Sequence, residues 1–347
     1  MAFSLPQVAA ENACLATIDR LAHTEHLEGA LAQIRGLVPP EVWGDALLDP
    51  AREFVARPSK NFRGRLVRLG WSLAGGEADA CPSDLPGLIE LIHAGSLIVD
   101  DIQDDGQRRR GKPALHRTAG VPLALNVGNW MYFAALQAFS WLDVSESTGH
   151  RMRSEAIQAL LKCHHGQAID LSVQVHQLPR DAVLGVVSTC TQMKSGALMG
   201  LAARIGARGA SDDEAVVASL GSFGEQLGAG LQMLDDLGSV VGKARRHKAL
   251  EDLQTAAPTW AWAFAAETCD ELTFARLQRQ ARAVCEENAD PDELLDGLRE
   301  RVQHTGMARV NAWLDSAFDQ LRDTVGDHPA LDEVHSEIER LKRSYHG

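Results

Sequence analysis

Apolar residues recur three and four positions apart through most of this chain, which is the spacing of one face of an α-helix. Such runs cover residues 27–37, 85–102, 156–173, 216–241 and 295–321. The alternation of apolar and polar residues that marks a half-buried strand is nearly absent. The pattern therefore predicts a protein that is helical nearly throughout.

Clusters of glycine and proline interrupt the helical pattern, and they predict its loops. They lie at residues 38–40, 57–59, 74–76, 111–113 and 327–329. The sequence has neither a tandem repeat nor a low-complexity linker that would mark a domain boundary. We therefore expect one all-α domain over residues 1–347, in which residues 270–347 form amphipathic outer helices.

Residues 118–142 contain no charged side chain, so this stretch is long enough to be considered as a membrane span. Pro122, Asn126, Asn129 and Gln137 interrupt it, and Gly128 weakens it further. A helix buried inside a large helical bundle is also apolar all round. The interruptions favour this buried helix over a span.

The overall composition is typical of a soluble globular protein, with 45% hydrophobic and 23% charged residues and a mean hydropathy of -0.16. A net charge of -13 argues against nucleic acid as a partner. An anionic ligand would need local cations or metal ions. The six cysteines form no CxxC pair, and the first twenty residues lack a secretory signal, which predicts a reducing, cytoplasmic location.

The segment LIVDDIQDDGQRRRGKPALH, residues 97–116, ends an apolar helical run with four aspartates. Asp100 and Asp104 lie one turn apart on a helix, and Asp101 and Asp105 do the same beside them. Carboxylates rooted in an apolar helix need a countercharge, and a hard cation such as Mg²⁺ fits. A solvated helix end, whose acids pair with the arginines at 108–110, explains the same pattern.

A second acidic pair, Asp235 and Asp236, lies inside the apolar run GLQMLDDLGSVVG with Gln232 one turn before Asp236. Aspartate is seldom buried unless it is paired or bound to metal, so a metal or an arginine from another helix is expected. Two such acidic sites suit a metal-bound diphosphate. The candidate cations are Lys60, Arg63, Arg109, Arg110, Lys194 and Lys248.

Several segments, taken in order, resemble motifs of the trans-isoprenyl diphosphate synthase (polyprenyl synthetase) family. They are PSKNFRGRL, ELIHAGSLIVDDIQDDGQRRRGKPALH, GVPLALNVGNWMYFAAL, HHGQAIDL, MKSGAL and LQMLDDL. The chain is most similar to geranylgeranyl diphosphate synthases of the animal and fungal type. The resemblance covers about residues 57–260. It implies a single-domain, all-α isoprenoid-synthase bundle around a central cavity, assembled as a homodimer.

The resemblance also implies roles for individual residues. About three Mg²⁺ ions, bridging the allylic diphosphate, would be bound by Asp100, Asp101, Asp104, Asp235 and Asp236. The allylic diphosphate would contact Arg109, Lys194 and Lys248. Isopentenyl diphosphate would contact Lys60, Arg63, His93 and Arg110. Gln167, Asp170 and Gln232 would be supporting polar positions, and the catalytic set would be Asp100, Asp101, Lys194, Gln232 and Asp235.

The implied reaction is a condensation in which an allylic diphosphate ionises and the carbocation alkylates isopentenyl diphosphate. Metal ions and fixed cations would stabilise the leaving diphosphate. In this family, bulky residues four and five positions before the first aspartate stop elongation. These positions are Ser96 and Gly95 here, both small, so we expect a product longer than farnesyl diphosphate, with geranylgeranyl diphosphate the first hypothesis.

Two departures from the family pattern keep other hypotheses open. Ser239 replaces the third aspartate of the second motif, and no lysine lies between Leu253 and Trp260. A terpene cyclase acting on a prenyl diphosphate is the second hypothesis, and a non-catalytic partner subunit of a synthase is the third. A cyclase does not need a pocket for isopentenyl diphosphate. All four residues that the resemblance assigns to that pocket are present here, which favours condensation.

Overall fold

The computed structural model describes residues 14–20, 39–242 and 245–344, and these residues are almost entirely helical. The all-α prediction is confirmed for this part of the chain. Residues 14–20 are helical, whereas the helix predicted at 27–37 lies outside the described residues. None of the described helices combines the length and the hydrophobicity that a bilayer span requires.

The described residues form two compact units, which divide the chain at Ile157/Gln158, Leu201/Ala202 and Val217/Ala218. The first unit contains the residues before Gln158 together with Ala202–Val217, and the second contains the remainder. A single domain over residues 1–347 therefore stays a prediction.

The first unit contains several helices and a short hairpin. The helices are α1 (Pro40–Trp43), α2 (Asp49–Val55), α3 (Phe62–Leu73), α4 (Asp84–Gln103), α5 (Leu115–Ala119) and α6 (Val121–Ala138). The hairpin is β1 (Arg108–Arg109) and β2 (Lys112–Pro113), which pair antiparallel. Gly44–Leu48 is a π-helical turn, and Ala78–Ala80 and Phe139–Trp141 are 3₁₀ turns.

Three long helices contribute residues to both units: α7 (Glu146–Ser172), α9 (Ala197–Ala210) and α10 (Glu214–Val241). The second unit adds α8 (Arg180–Thr191), α11 (Arg246–Gln254), α12 (Trp260–Thr268), α13 (Glu271–Cys285), α14 (Pro291–Val302), α15 (Thr305–Val325) and α16 (Ala330–Ser344). It also contains the 3₁₀ turn Val175–Gln177 and the π-helical turn Gln192–Gly196.

The helices predicted at 85–102, 156–173 and 216–241 are confirmed as α4, α7 and α10. The helix predicted at 295–321 is wrong as a single element, because α14 ends at Val302 and α15 begins at Thr305. Buried positions continue at helical spacing across this break, as at Leu298, Val302 and Gly306. Periodicity alone could not reveal the break.

Helices α4 and α6 pack together closely at a pair of glycines. A Cβ added to Gly95 would lie 2.8 Å from the Gly128 carbonyl oxygen and 3.1 Å from Cβ of Met131. The missing side chains therefore let the two backbones approach. The prediction that α6 is buried all round is wrong for the described chain, because Phe133 is 71% exposed. Its face toward α4 is buried, and the opposite face, although uncharged, is open.

Helix α3 is fixed against α9 in the same way. A Cβ added to Gly70 would lie 2.5 Å from the carbonyl oxygen of Ala203, and one added to Gly206 would overlap the carbonyl oxygen of Val67. Any larger residue at either glycine would push the helices apart. The close packing places α3, which begins within the PSKNFR segment at Phe62, directly against α9.

The second unit is built around α12, which is buried along almost its whole length. Trp262 is fully buried, and Trp260 donates a hydrogen bond from Nε1 to Oγ1 of Thr191 on α8 at 2.9 Å. A Cβ added to Gly228 would lie 2.6 Å from the Ser195 carbonyl oxygen. This glycine therefore lets α10 approach the turn that carries Lys194 and Ser195.

Candidate active site

The first acidic cluster lies at the carboxyl end of α4. Asp101 is buried at 2% exposure, whereas Asp104 and Asp105 are exposed. Arg109 donates to Oδ1 of Asp101 from Nε at 2.8 Å and also from Nη2, and it lies 3.8 Å from Asp100. The Oδ2 atom of Asp101 is buried and accepts no hydrogen bond from the described residues. One buried carboxylate oxygen of the cluster is thus left without a donor among these residues.

The hairpin that carries Arg109 has a two-residue turn, Arg110–Gly111. Both residues have positive φ, at 52° and 81°, which is the conformation of the turn type favoured in two-residue hairpins. Burial opposes the charge on Arg109, but the hydrogen bonds and negative charge of Asp101 outweigh it and raise the pKa of Arg109. The arginine therefore stays charged beside the acidic cluster.

The structure brings two predicted isopentenyl diphosphate residues, Arg63 and Arg110, close to a third, His93. Nη1 of Arg63 lies 2.9 Å from Nε2 of His93, and because arginine can only donate, this nitrogen must accept. Burial lowers the pKa of His93 well below its ordinary value, and the charges of Arg63, Arg110 and Arg109 lower it further. His93 is thus a neutral acceptor in a cationic group.

Lys60, the fourth predicted isopentenyl diphosphate residue, precedes Arg63 by three positions and is exposed in the loop before α3. Asn61 in that loop has a left-handed φ of 43°, and the Ser59 hydroxyl donates to its Oδ1 at 2.7 Å. The Gly64 amide in the first turn of α3 donates to Oε1 of the buried Glu90 at 2.8 Å. The first contact lies within the loop, and the second ties the first turn of α3 to α4.

The second acidic pair lies on α10, and its two members differ. Asp236 is buried and accepts hydrogen bonds from Nε2 of Gln232 at 2.8 Å and from the Trp260 amide at 2.9 Å. Burial raises the pKa of Asp236 to about 6, although these donors and the charge of Lys248 oppose the rise. The Ser239 hydroxyl donates to the Asp236 carbonyl oxygen at 2.7 Å, so it is turned back to its own helix.

The structure identifies the positively charged partners of Asp235, which the sequence did not specify. Arg245 contacts its Oδ1 and Lys248 contacts its Oδ2. Burial opposes the carboxylate, but Lys248 and Arg245 outweigh it and lower the pKa of Asp235. The two cations come from beyond the end of α10. Lys248 was predicted as a ligand-binding cation, whereas Arg245 was missed.

The remaining predicted residues of the second unit lie around the turn after α8. Lys194 forms an ion pair with Asp170 of α7, and the Ser195 hydroxyl donates to Oε1 of Gln232 at 2.9 Å. Gln232 thus connects this turn to Asp236. Gln167 is half-buried one turn before Asp170 on the same helix.

Asp252 on α11 belongs to this acidic group and was not predicted. Burial raises its pKa to about 7, and the negative charges of Asp236, Asp235 and Asp170 contribute to the rise, against the charge of Lys248. The sequence holds one signal for it, since Asp252 follows Lys248 by one helical turn. That spacing is common on exposed helices, so it gave no reason to single this aspartate out.

Each unit, taken by itself, contains carboxylate oxygens that suit a divalent metal ion arriving with a ligand. Within the described ranges, no three His, Cys, Asp or Glu side chains form a ready-made metal site. Carboxylate oxygens are the ligands of Mg²⁺, which commonly takes one or two of them together with substrate phosphate oxygens. The buried, unpartnered Oδ2 of Asp101 is such an oxygen. The residues therefore fit Mg²⁺ bound jointly with a diphosphate.

Comparisons with known proteins agree with a site for diphosphate substrates. The sequence model of the family described as Polyprenyl synthetase matches residues 45–296. A geranylgeranyl pyrophosphate synthase of Eremothecium gossypii is 29% identical over 138 residues, 38% of this chain and 43% of that protein. A short chain isoprenyl diphosphate synthase of Methanothermobacter thermautotrophicus is 29% identical over 204 residues, 58% of this chain and 60% of that protein. The chain thus spans about half the length of these relatives.

Solved structures share the fold over nearly the whole chain. The heptaprenyl diphosphate synthase of Staphylococcus aureus matches with a TM-score of 0.74 at 16% identity, over 96% of this chain and 98% of that one. The geranylgeranyl pyrophosphate synthetase of Pyrococcus horikoshii matches with a TM-score of 0.69 at 21% identity, over 94% and 98%. These similarities establish the all-α fold of isoprenyl synthases for this chain.

Proposed function

This chain belongs to the polyprenyl synthetase family, and we propose that it is a trans-prenyltransferase that joins an allylic diphosphate to isopentenyl diphosphate. The observation that carries the proposal is the cationic group around a neutral His93, formed with Arg63 and Arg110. Such a group suits a second diphosphate substrate, which condensation requires and cyclisation does not. The matched relatives share only part of their length with the chain, so its activity remains our proposal.

We propose that metal-bound carboxylates and fixed cations assist the ionisation of the allylic diphosphate. Asp100, Asp101 and Asp104 would hold Mg²⁺ in the first unit, and Asp235 and Asp236 in the second; the family resemblance implies about three ions. When bound, Mg²⁺ stabilises the negative charge that develops on the leaving diphosphate. Arg109, Lys194 and Lys248 donate hydrogen bonds to diphosphate oxygens, an electrostatic contribution that is largest where water is excluded.

Isopentenyl diphosphate would bind Lys60, Arg63 and Arg110 through its phosphate oxygens. His93 orients the Arg63 guanidinium by accepting a hydrogen bond from it, and because it stays neutral it does not add a charge that repels the arginines. The double bond then attacks the allylic carbocation, a carbon–carbon bond forms, and a proton leaves to the released diphosphate. No side-chain nucleophile takes part.

The structure changes the argument about product length. Gly95 is small because α4 and α6 cross there, so it carries no information about an open wall. Ser96, whose hydroxyl donates to the His93 carbonyl oxygen of its own helix at 2.8 Å, is left as the small residue that supports a longer product. We propose geranylgeranyl diphosphate as the main product, in line with the names of several relatives.

We also propose that the chain acts as a homodimer. The open face of α6 carries the exposed apolar residues Val121, Leu125 and Phe133 and no charge, and α6 lies within the uncharged residues 118–142. A second copy would bury this face. Phe133→Asp should shift the chain from dimer to monomer in sedimentation velocity, while the control Leu272→Asp, 83% exposed on α13, should not. A Phe133→Asp variant that sediments like the unmodified protein would contradict this interface.

The decisive experiment mixes the purified chain with Mg²⁺, an allylic diphosphate and radiolabelled isopentenyl diphosphate, and sizes the labelled products. Condensation predicts labelled prenyl diphosphates longer than the starter, and their absence after metal chelation. Diphosphate release with an unlabelled hydrocarbon would instead identify a terpene cyclase. No reaction at all would indicate a non-catalytic partner subunit. An exclusively farnesyl product would keep the reaction and overturn the product-length proposal.

A further inference from the structure

Arg57 is a buried arginine that the proposed reaction does not use. It is 2% exposed and lies between α2 and the PSKNFR loop. Its Nη1 donates to the carbonyl oxygens of Pro113 at 2.9 Å and Arg109 at 3.3 Å, both on the β1–β2 hairpin. Its Nε and Nη2 donate to Glu53 at 3.0 and 2.8 Å. The guanidinium thus joins the hairpin to α2.

Glu53 reinforces this connection. Besides accepting from Arg57, it accepts from Nζ of Lys112 on β2 at 2.9 Å. Burial raises the pKa of Glu53, but the hydrogen bonds from Arg57 and Lys112 and their charges outweigh it and lower the pKa overall. The pair therefore stays ionised. Through it, α2 is connected to two backbone carbonyl oxygens of the hairpin and to the Lys112 side chain.

The hairpin needs such an anchor. A two-stranded hairpin is marginally stable on its own, and this one has only two residues in each strand. It also carries three consecutive arginines at 108–110, whose like charges repel. Arg109 is held a second time by Asp101 on α4. The Arg110 guanidinium lies 5.7 Å from the centre of the Phe54 ring, which the Arg57 guanidinium also contacts at 5.0 Å.

Arg57, which anchors the hairpin, lies close in sequence to two residues of the proposed isopentenyl diphosphate site. Lys60 follows it by three residues and Arg63 by six, so the backbone that carries these cations starts at the anchor. Fixing the hairpin to Arg57 therefore fixes Arg110 relative to Lys60 and Arg63. Their separation has to match the phosphate oxygens of one ligand.

We propose that Arg57, with Glu53 as its partner, is a positioning residue that sets the geometry of the isopentenyl diphosphate site. The proposal rests on the proposed function, because it takes Lys60, Arg63 and Arg110 as the ligands of that substrate. Arg57 does not touch the substrate. It acts by holding the hairpin carbonyl oxygens and so the turn residue Arg110.

Three variants test this role: Arg57→Met, Arg57→Lys and the control Arg52→Met. Arg52 lies on α2 at the surface, where it pairs with Asp19 and Asp49. Misplacing a binding group by about 1 Å can cost about a hundredfold. We expect Arg57→Met to raise KM for isopentenyl diphosphate about ten- to hundredfold, with kcat and KM for the allylic diphosphate changed less than about threefold. Arg57→Lys should raise KM for isopentenyl diphosphate by an intermediate factor, because one ammonium group cannot reach both carbonyl oxygens and Glu53 at once. Arg52→Met should have the KM values of the unmodified protein.

A second readout separates the anchor from the reaction. Hydrogen–deuterium exchange of the amides at 109–112 and 114 should accelerate at least about tenfold in Arg57→Met and stay unchanged in Arg52→Met. Unchanged exchange, or an equal rise in KM for both substrates, would overturn the positioning role. If the unmodified protein neither binds nor condenses isopentenyl diphosphate, the proposed function fails and the positioning role fails with it, while the exchange result still reports the anchor itself.

Discussion

Replacing Gly95 by alanine tests the packing of α4 on α6. The new methyl group would stand 2.8 Å from the Gly128 carbonyl oxygen and 3.1 Å from Cβ of Met131. Neither neighbour can rotate away, since one is backbone and the other is the first carbon of its side chain. The helices must separate by several tenths of an ångström, or more, to admit the methyl.

Two opposing effects set the size of the change. Alanine is favoured over glycine inside a helix by about 1 kcal/mol. Overpacking a well-packed core costs about 1–3 kcal/mol, and the rigid neighbours here place the cost toward the upper end. We therefore expect Gly95→Ala to lower the free energy of unfolding by about 1–2 kcal/mol.

Gly185→Ala is the matched control, because Gly185 lies in α8 with nothing within 4 Å of an added Cβ. It should raise the free energy of unfolding by about 0.5–1 kcal/mol through helix propensity alone. Urea unfolding followed by circular dichroism would measure both, compared as midpoints at equal m-values. If Gly95→Ala is stabilising like Gly185→Ala, our account of the α4–α6 crossing is wrong.

Three further predictions concern the candidate site. Burial raises the pKa of Asp236 to about 6 from 3.8, so its carboxyl group binds a proton more readily in the folded metal-free protein than in the unfolded chain. This group should therefore add about 2 kcal/mol of stability as the pH falls from 7 to 4. Asp236→Asn should remove that increment from chemical unfolding curves, and an unchanged pH profile would refute it. Asp101→Asn should lower kcat at least about a hundredfold, because it removes a metal ligand and the partner of Arg109; near-normal turnover at saturating Mg²⁺ would exclude that role. If the condensation proposal holds, Ser96→Phe should give products no longer than farnesyl diphosphate by chromatography, and an unaltered product distribution would show that this position does not limit elongation.

Sequence periodicity predicted the long helices well because their apolar stripes are continuous, as in α4 and α10. The same continuity hid the break after Val302, where buried positions keep their spacing through the interruption. A lack of charge in residues 118–142 indicated an apolar helix, but it could not show that Phe133 faces outward. The composition of a helix does not determine which of its faces are covered by neighbouring helices.

The candidate site was predictable where its residues lie in motifs, and it was missed where partners are distant in sequence. His93 was singled out through the family resemblance, because a lone histidine on an apolar helix is more often a core residue. Arg57 escaped because its hairpin partners follow 52 and 56 residues later. Arg245 and Asp252 escaped because charged residues after a helix end are ordinarily solvated, and only the fold turns them toward Asp235 and Asp236.

Diphosphate-dependent metal binding is the most direct test of the central claim that the acidic clusters around Asp101 and Asp235 hold divalent ions together with a diphosphate. Mn²⁺ binding can be followed by electron paramagnetic resonance with and without inorganic pyrophosphate, in the unmodified protein and in Asp101→Asn and Asp235→Asn. We predict that pyrophosphate tightens Mn²⁺ binding at least about tenfold in the unmodified protein, and that each substitution abolishes this effect. Mn²⁺ binding that is indifferent to pyrophosphate in the unmodified protein, or a pyrophosphate effect that survives in either variant, would contradict the account.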